Sequence, residues 1–199
     1  MKVDPIGQSV GGLKAHILRR MFHLSMAFIP WIFYEYGDEI GVEWSISKER
    51  FASLVIMIII IGEIIRLKLG FVVFGQRQYE ANQVSALAWG GFSVGLVLLM
   101  FEEAKYGYPL IFSLTFIDPL LGEARRMGYD KTKVNIIGVT GAAIIWVICW
   151  HLVDTPLLLA VIMAPLVVAA ESPRLKWIDD NATMLLIPAA ALLIISVWL

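Results

Sequence analysis

The stretch Phe116-Ile117-Asp118-Pro119-Leu120-Leu121-Gly122-Glu123-Ala124-Arg125-Arg126-Met127-Gly128-Tyr129-Asp130-Lys131-Thr132-Lys133 begins inside an apolar run and ends as a dense mixed-charge loop. A carboxylate at the edge of hydrocarbon costs several kcal/mol unless something pairs with it. Arg125, Arg126, Lys131 and Lys133 follow Asp118 closely, which is what a metal-chelated polyphosphate would require. Helical spacing places Asp118, Gly122 and Arg125 or Arg126 on one face. Taken alone, the cations read equally well as anchors at a membrane surface. That reading leaves Asp118 unexplained.

Working outward, the composition sets the class. Of 199 residues, 59% are hydrophobic and only 17% charged, with a mean hydropathy of +0.76. Soluble domains run about 45–50% apolar and about 25% charged. The expectation is an all-α, polytopic integral membrane bundle forming a single domain over residues 1–199. Residues 1–16 read as a short polar lead-in without the pattern of a signal peptide. The single cysteine, Cys149, excludes an intramolecular disulfide.

Seven apolar segments stand near 17–36, 51–69, 84–101, 108–121, 134–153, 155–171 and 182–199. A helix needs about 20 apolar residues to cross, with about 17 as the lower limit. The first, second, fifth and seventh qualify, and the third and sixth are marginal. Segment 108–121 is too short to cross alone. It either extends through Gly122-Glu123-Ala124-Arg125 or is a short, re-entrant element lining a cavity.

With seven crossings, the N-terminus and the loops near 66–83, 122–133 and 172–181 share one side. That side holds thirteen of the 16 basic residues, Lys2 and Arg174 among them; Lys48, Arg50 and Lys105 fall opposite. Positive-inside bias then makes the N-terminus and the basic side cytosolic.

The unusual polar residues collect on that same side. His23 follows Arg19 and Arg20 by one helical turn. Glu63 and Arg66 stand at i, i+3 after an isoleucine run, as an ion pair closing a helix or as site residues. Arg77 and Glu80 share a helical face before the third span. Glu171, Asp179, Asp180 and Asn181 bring three carboxylates and an amide to a side otherwise rich in cations. Oxygen ligation of a divalent cation is one reason for them to be there, since Mg²⁺ takes one or two carboxylates plus substrate phosphates. No P-loop, Gly-x-Gly-x-x-Gly or His-Glu-x-x-His pattern occurs, and the aromatics do not suit nucleic-acid binding.

The order Arg19-Arg20…His23, Glu63…Arg66, Arg77…Glu80, Asp118-Pro119…Gly122, Lys131-Thr132, Glu171 and Asp179-Asp180-Asn181…Pro188 resembles the dolichol kinase and phytol kinase family. The resemblance implies a small polytopic enzyme that phosphorylates a polyisoprenoid alcohol, typically with CTP. It also implies that the loop from Asp118 to Lys133 holds nucleotide and metal.

Together these readings give a set of expected roles. Asp118, with Glu171 or Asp179 and Asp180, binds Mg²⁺ or Mn²⁺. Arg19, Arg20, Arg66, Arg77, Arg125, Arg126, Lys131, Lys133 and Asn181 surround the nucleotide. Asp118 or Glu123 serves as base, and His23, Glu63 and Glu80 are further polar site residues. Phosphoryl transfer of this kind relies on positioning and charge stabilisation. Two rivals share the ingredients: a CDP-lipid synthase acting on a lipid phosphate, and a transporter or scaffold using intramembrane Glu63 and Asp118.

Overall fold

The computed structural model describes residues 10–173 and 175–197. Lys2, Arg174, residues 1–9 of the lead-in and the last two positions of segment 182–199 lie outside the described residues. The described chain is helical throughout: α1 (Gly12–Ser25), α2 (Phe28–Trp31), α3 (Gly37–Trp44), α4 (Lys48–Leu69), α5 (Ala86–Met100), α6 (Ala104–Arg126), α7 (Lys131–Val153), α8 (Leu158–Glu171) and α9 (Asp180–Ser196). Helix α1 begins at Gly12, inside the expected lead-in.

One expectation is corrected here, and one open alternative is decided. Segment 17–36 is not one uninterrupted helix, because Pro30 lacks the N–H that would continue the hydrogen-bond ladder. The chain breaks between α1 and α2 and then passes through a π-turn at Ile32–Tyr36 before α3. Segment 108–121 takes the first of its two expected forms, extending through Gly122-Glu123-Ala124-Arg125, and not the short, re-entrant one. It is the centre of α6, 23 residues long and continuous through Pro109 and Pro119. The stretch from Asp118 to Arg126 is therefore helix, and the loop shrinks to Met127–Asp130. Asp130 caps α7 by accepting from the Lys133 backbone N–H at 3.0 Å.

Helix α6 is the axis of the bundle, touching α1, α2, α5, α7, α8 and α9. Leu110, Leu114, Ile117 and Leu121 recur at three- and four-residue spacing and are all buried, as are Trp146, Met163, Val167, Met184 and Leu185 facing them. The Trp146 indole N–H donates to Ser113 Oγ at 3.1 Å, satisfying the core's largest polar handle. At Gly138, an added Cβ would strike Leu121 and crowd Val168, so α7 approaches α6 and α8 only because that position is bare.

The outer surface has the opposite character from that of a soluble bundle. On α4, Leu54, Val55, Met57, Ile58, Ile60, Ile61, Ile64 and Ile65 are all exposed, as are Ile144 and Ile148 on α7 and Val161 and Ile194 on α8 and α9. Soluble monomers rarely expose large contiguous apolar patches.

Among the described residues, one helix, α7, is both long and apolar enough by composition to cross a bilayer. α4 is 22 residues long but carries Glu63, Arg66 and Lys68 near its end. α6 dilutes its apolar character with polar groups that its neighbours cover. α5, α8 and α9 are apolar but shorter.

The connections sort to two ends. At one, Tyr34 Oη donates to the Phe101 carbonyl (2.8 Å) and Thr155 Oγ1 to the Lys105 carbonyl (2.7 Å). At the other meet the start of α1, the 70–85 connection, the C-terminal ends of α6 and α8 and the N-terminus of α9. This matches the alternation expected from the basic residues.

Candidate functional site

The second end gathers the unusual polar residues. One carboxylate oxygen of Asp118, on α6, lies 3.3 Å from Arg20 Nη1 and 3.4 Å from His23 Nε2, both on α1. Single oxygens of Asp118, Glu171 and Asp180 lie within 4.8 Å of one another, bringing together the ends of three helices. Arg125, one turn beyond Gly122, pairs with Glu171. Arg19 pairs with Glu80 at 3.2 Å and lies within electrostatic reach of Asp179, and Arg77 lies within reach of both Asp179 and Asp180.

Gly122 leaves room for Arg20 here. An added Cβ would collide with the guanidinium of Arg20, which crosses α6 over the bare position to reach Asp118. Arg20 Nε is buried without a partner, so the guanidinium keeps a donor in reserve.

Asp179 does not join the three-carboxylate group. It caps α9 by accepting from the Asn181 backbone N–H at 3.1 Å. Burial first, and then the neighbouring Asp180 carboxylate, push it well above the usual carboxylate range. Proximity in sequence thus separates into two jobs, Asp180 in the cluster and Asp179 at the cap.

Several expected site residues are placed elsewhere. Arg66 is 4% exposed. It donates to both carboxylate oxygens of Glu63 (2.7 and 3.0 Å), to the Phe71 carbonyl (3.1 Å) and to the Gln83 carbonyl (2.8 Å). Glu63 in turn accepts from the Ser85 N–H at 2.6 Å. The pair is a clamp on the 70–85 connection, and these bonds occupy the guanidinium. Glu80, 1% exposed, accepts from the Arg77 and Ala86 backbone N–H groups as well as from Arg19. Glu123 pairs with Arg126 at 2.6 Å on the exposed side of α6. Lys131 and Lys133 are exposed at the start of α7, Lys133 lying 3.8 Å from Asp130.

Asn181, expected beside the nucleotide, is 3% exposed. Its Nδ2 donates to the Ala86 carbonyl (3.2 Å), so its Oδ1 faces His23 Nε2 at 2.9 Å. His23 Nε2 must therefore carry the hydrogen, and Nδ1, buried, has no partner.

Sequence reasoning missed Gln76, buried and accepting from the Val73 N–H at 2.9 Å. It also missed Thr115, whose buried Oγ1 is unpartnered one turn before Asp118. A threonine three residues before an acid in an apolar run is the signal that could have drawn attention to it.

The donor set of Asp118, Glu171 and Asp180 is all oxygen, which suits a hard divalent cation such as Mg²⁺. No family model, curated protein or solved structure matches the chain.

Proposed function

We propose that the chain is an integral membrane lipid kinase that transfers the γ-phosphate of a nucleoside triphosphate, CTP by resemblance, to the hydroxyl of a polyisoprenoid alcohol. One observation carries this reading. The Asp118, Glu171 and Asp180 oxygens converge at one end of the bundle, with Arg20 and Arg125 in contact with them. The apolar exterior supports insertion in a bilayer, with seven helical passes counting α1 to α3 as one. The thirteen basic residues that the loop alternation assigns to this end support a cytosolic site and N-terminus.

In this reading Asp118, Glu171 and Asp180 would hold Mg²⁺, which would supply neutralisation of phosphate charge. Arg20 and Arg125 give up carboxylate partners to meet the phosphates, while Arg77 and the exposed Arg126, Lys131 and Lys133 draw the nucleotide in. Arg19 and Glu80 brace the wall. The alcohol oxygen bonds to the γ-phosphorus, and the bond from that phosphorus to the β–γ bridging oxygen breaks. A nucleoside diphosphate and one proton leave.

The test uses purified protein in detergent with Mg²⁺, prenols and CTP labelled at either the γ- or the α-phosphate. Label from the γ-position on the lipid is the expected result. Label from the α-position would establish a cytidylyltransferase instead, and no lipid label with any prenol would remove the kinase reading.

A further inference from the structure

Beside the site lies a cavity of about 190 Å³ between α1, the 73–80 turn and the N-terminal turns of α5 and α9. Its walls include Leu18, Phe22, Met26, Phe74, Leu87 and Gly90. Phe22, Phe74 and Leu87 are each more than 50% exposed, so the mouth opens onto the apolar exterior. Ala86 and Gly90 are buried, so the space runs inward from that mouth.

The polar side chains on the wall are engaged with the protein itself. Arg19 and Glu80 pair with each other, Gln76 accepts from the Val73 N–H, and Asn181 holds the Ala86 carbonyl and faces His23. What remains for an occupant is hydrocarbon surface. The same wall also borders the polar cluster: His23 lies 3.4 Å from the Asp118 carboxylate, and Asn181 follows Asp180 in the chain. The cavity therefore joins the apolar exterior to the end of the bundle where Asp118, Glu171 and Asp180 converge.

We propose that this cavity seats a single hydrocarbon chain, the segment next to the hydroxyl of the lipid alcohol, and is the sideways passage by which that lipid reaches the cluster. The proposal rests on the lipid-alcohol reading above and gives the chain its place. Its volume is below the range of about 300–1,000 Å³ that encloses a drug-sized ligand, so only the first part of a long chain fits. The rest leaves past Phe22, Phe74 and Leu87 along the exterior. Bilayer hydrocarbon is as apolar as these side chains, so moving a chain from one to the other gains little by itself. The polar head at the cluster sets which lipid enters, and a diacyl lipid with a bulky head is excluded.

The test reads position, not turnover. A long-chain prenol carrying a photoreactive diazirine near its hydroxyl is irradiated with wild-type protein in detergent micelles, without nucleotide, and the labelled residues are mapped by mass spectrometry. Phe22, Phe74 and Leu87 meet the micelle in any case, so the readout is half-buried Met26 and buried Ala86. Both should label, and excess unmodified prenol should displace the label while phosphatidylcholine does not. Absence of label at both residues would overturn the proposal, and equal displacement by phosphatidylcholine would reduce the cavity to a groove for any membrane chain.

A pair of variants tests the same space. A Cβ on Gly90 meets Met26 Sδ at 3.7 Å and Asn181 at 4.0 Å, ordinary contact distances, so Gly90→Ala should fold and keep the label. Gly90→Leu, which fills the space, should lose most of it; undiminished label in that variant counts against the cavity, and the wild-type map decides the matter if the variant does not fold. The two levels of reading separate. Label at Met26 and Ala86 without transfer of the γ-phosphate leaves the chain site standing and removes the kinase, whereas phosphate transfer without that label does the reverse.

Discussion

Arg20 crosses α6 at Gly122, and the absent side chain at that position is what lets its guanidinium stand 3.3 Å from Asp118. An alanine there meets the far end of a flexible side chain, so the chain can fold with Arg20 pushed aside. Gly122→Ala should leave melting in the absence of nucleotide nearly unchanged while lowering turnover on the order of tenfold to a hundredfold, the cost of misplacing a charge-stabilising donor. A double-mutant cycle checks the mechanism: Gly122→Ala added to Arg20→Ala should cost nothing further. Additive losses would mean that Gly122 matters for another reason.

The Glu63–Arg66 pair makes a contrasting prediction. Arg66→Ala leaves Glu63 buried beside Ser85 with no cation and frees the Phe71 and Gln83 carbonyls. Breaking a buried pair in this way costs about 3–5 kcal/mol. Melting temperature should fall sharply, whereas protein that remains folded should keep its stabilisation by Mg-CTP. Lost nucleotide stabilisation with normal intrinsic stability would return Arg66 to the nucleotide.

These two residues mark how far the sequence could be read. The all-helical class and the main helices were legible, because apolar run length follows from the chain locally. Continuity of α6 through Glu123 to Arg126 was one of two readings that the sequence left open. It depends on ion pairs with Arg126 and, for Arg125, with Glu171 on another helix, and on neighbours covering the polar positions of α6. Asp118, Glu171 and Asp180 were each recognisable as misplaced acids, but only packing brings them within 4.8 Å. Arg66 looked like Arg20 in sequence. What separates them is that carbonyls from a folded-back connection consume one guanidinium, whereas a bare glycine admits the other to the cluster.

Topology is tested by single-cysteine labelling in sealed vesicles on a Cys149→Ala background. Lys131 and Lys176, exposed at the site end, should label from the cytosolic side, and Glu49, exposed near the opposite end, only from the other. Cys149→Ala removes the one native cysteine, a buried residue of α7. Labelling of positions 49 and 131 from the same side would rule out a helical bundle that crosses with the expected parity.

Asp180→Asn separates the two neighbouring acids. Asp180 is one of the three converging carboxylates, while Asp179 is a cap. If Asp180 holds the cation, its amide variant should lower turnover by orders of magnitude and raise the magnesium concentration giving half-maximal rate. Asp179→Asn keeps an oxygen for the cap and removes a carboxyl that is costly to ionise, so it should retain most activity. Equal losses for both variants would place Asp179 in the site as well.

Asp118→Asn bears most directly on the proposed chemistry, because Asp118 is the converging carboxylate that also contacts Arg20 and His23. Its carboxylate contacts Arg20 and His23 and stands with Glu171 and Asp180. Without a cation, three carboxylates share this end, and Arg125 and Arg20 offset only part of their repulsion. Asparagine keeps the size and an acceptor for Arg20 while removing one negative charge. If Asp118 is a metal ligand or base, kinase activity should disappear while melting temperature without nucleotide stays similar or rises. The further stabilisation by Mg-CTP, which reports preferential binding to the folded state, should shrink. A purely structural role gives the reverse pattern, early melting with normal specific activity in whatever folds, because Arg20 and His23 would then be left with weaker partners in a buried wall. Melting curves with and without Mg-CTP, measured beside turnover, tell the two apart. A stable, fully active Asp118→Asn protein would remove the cluster from the reaction.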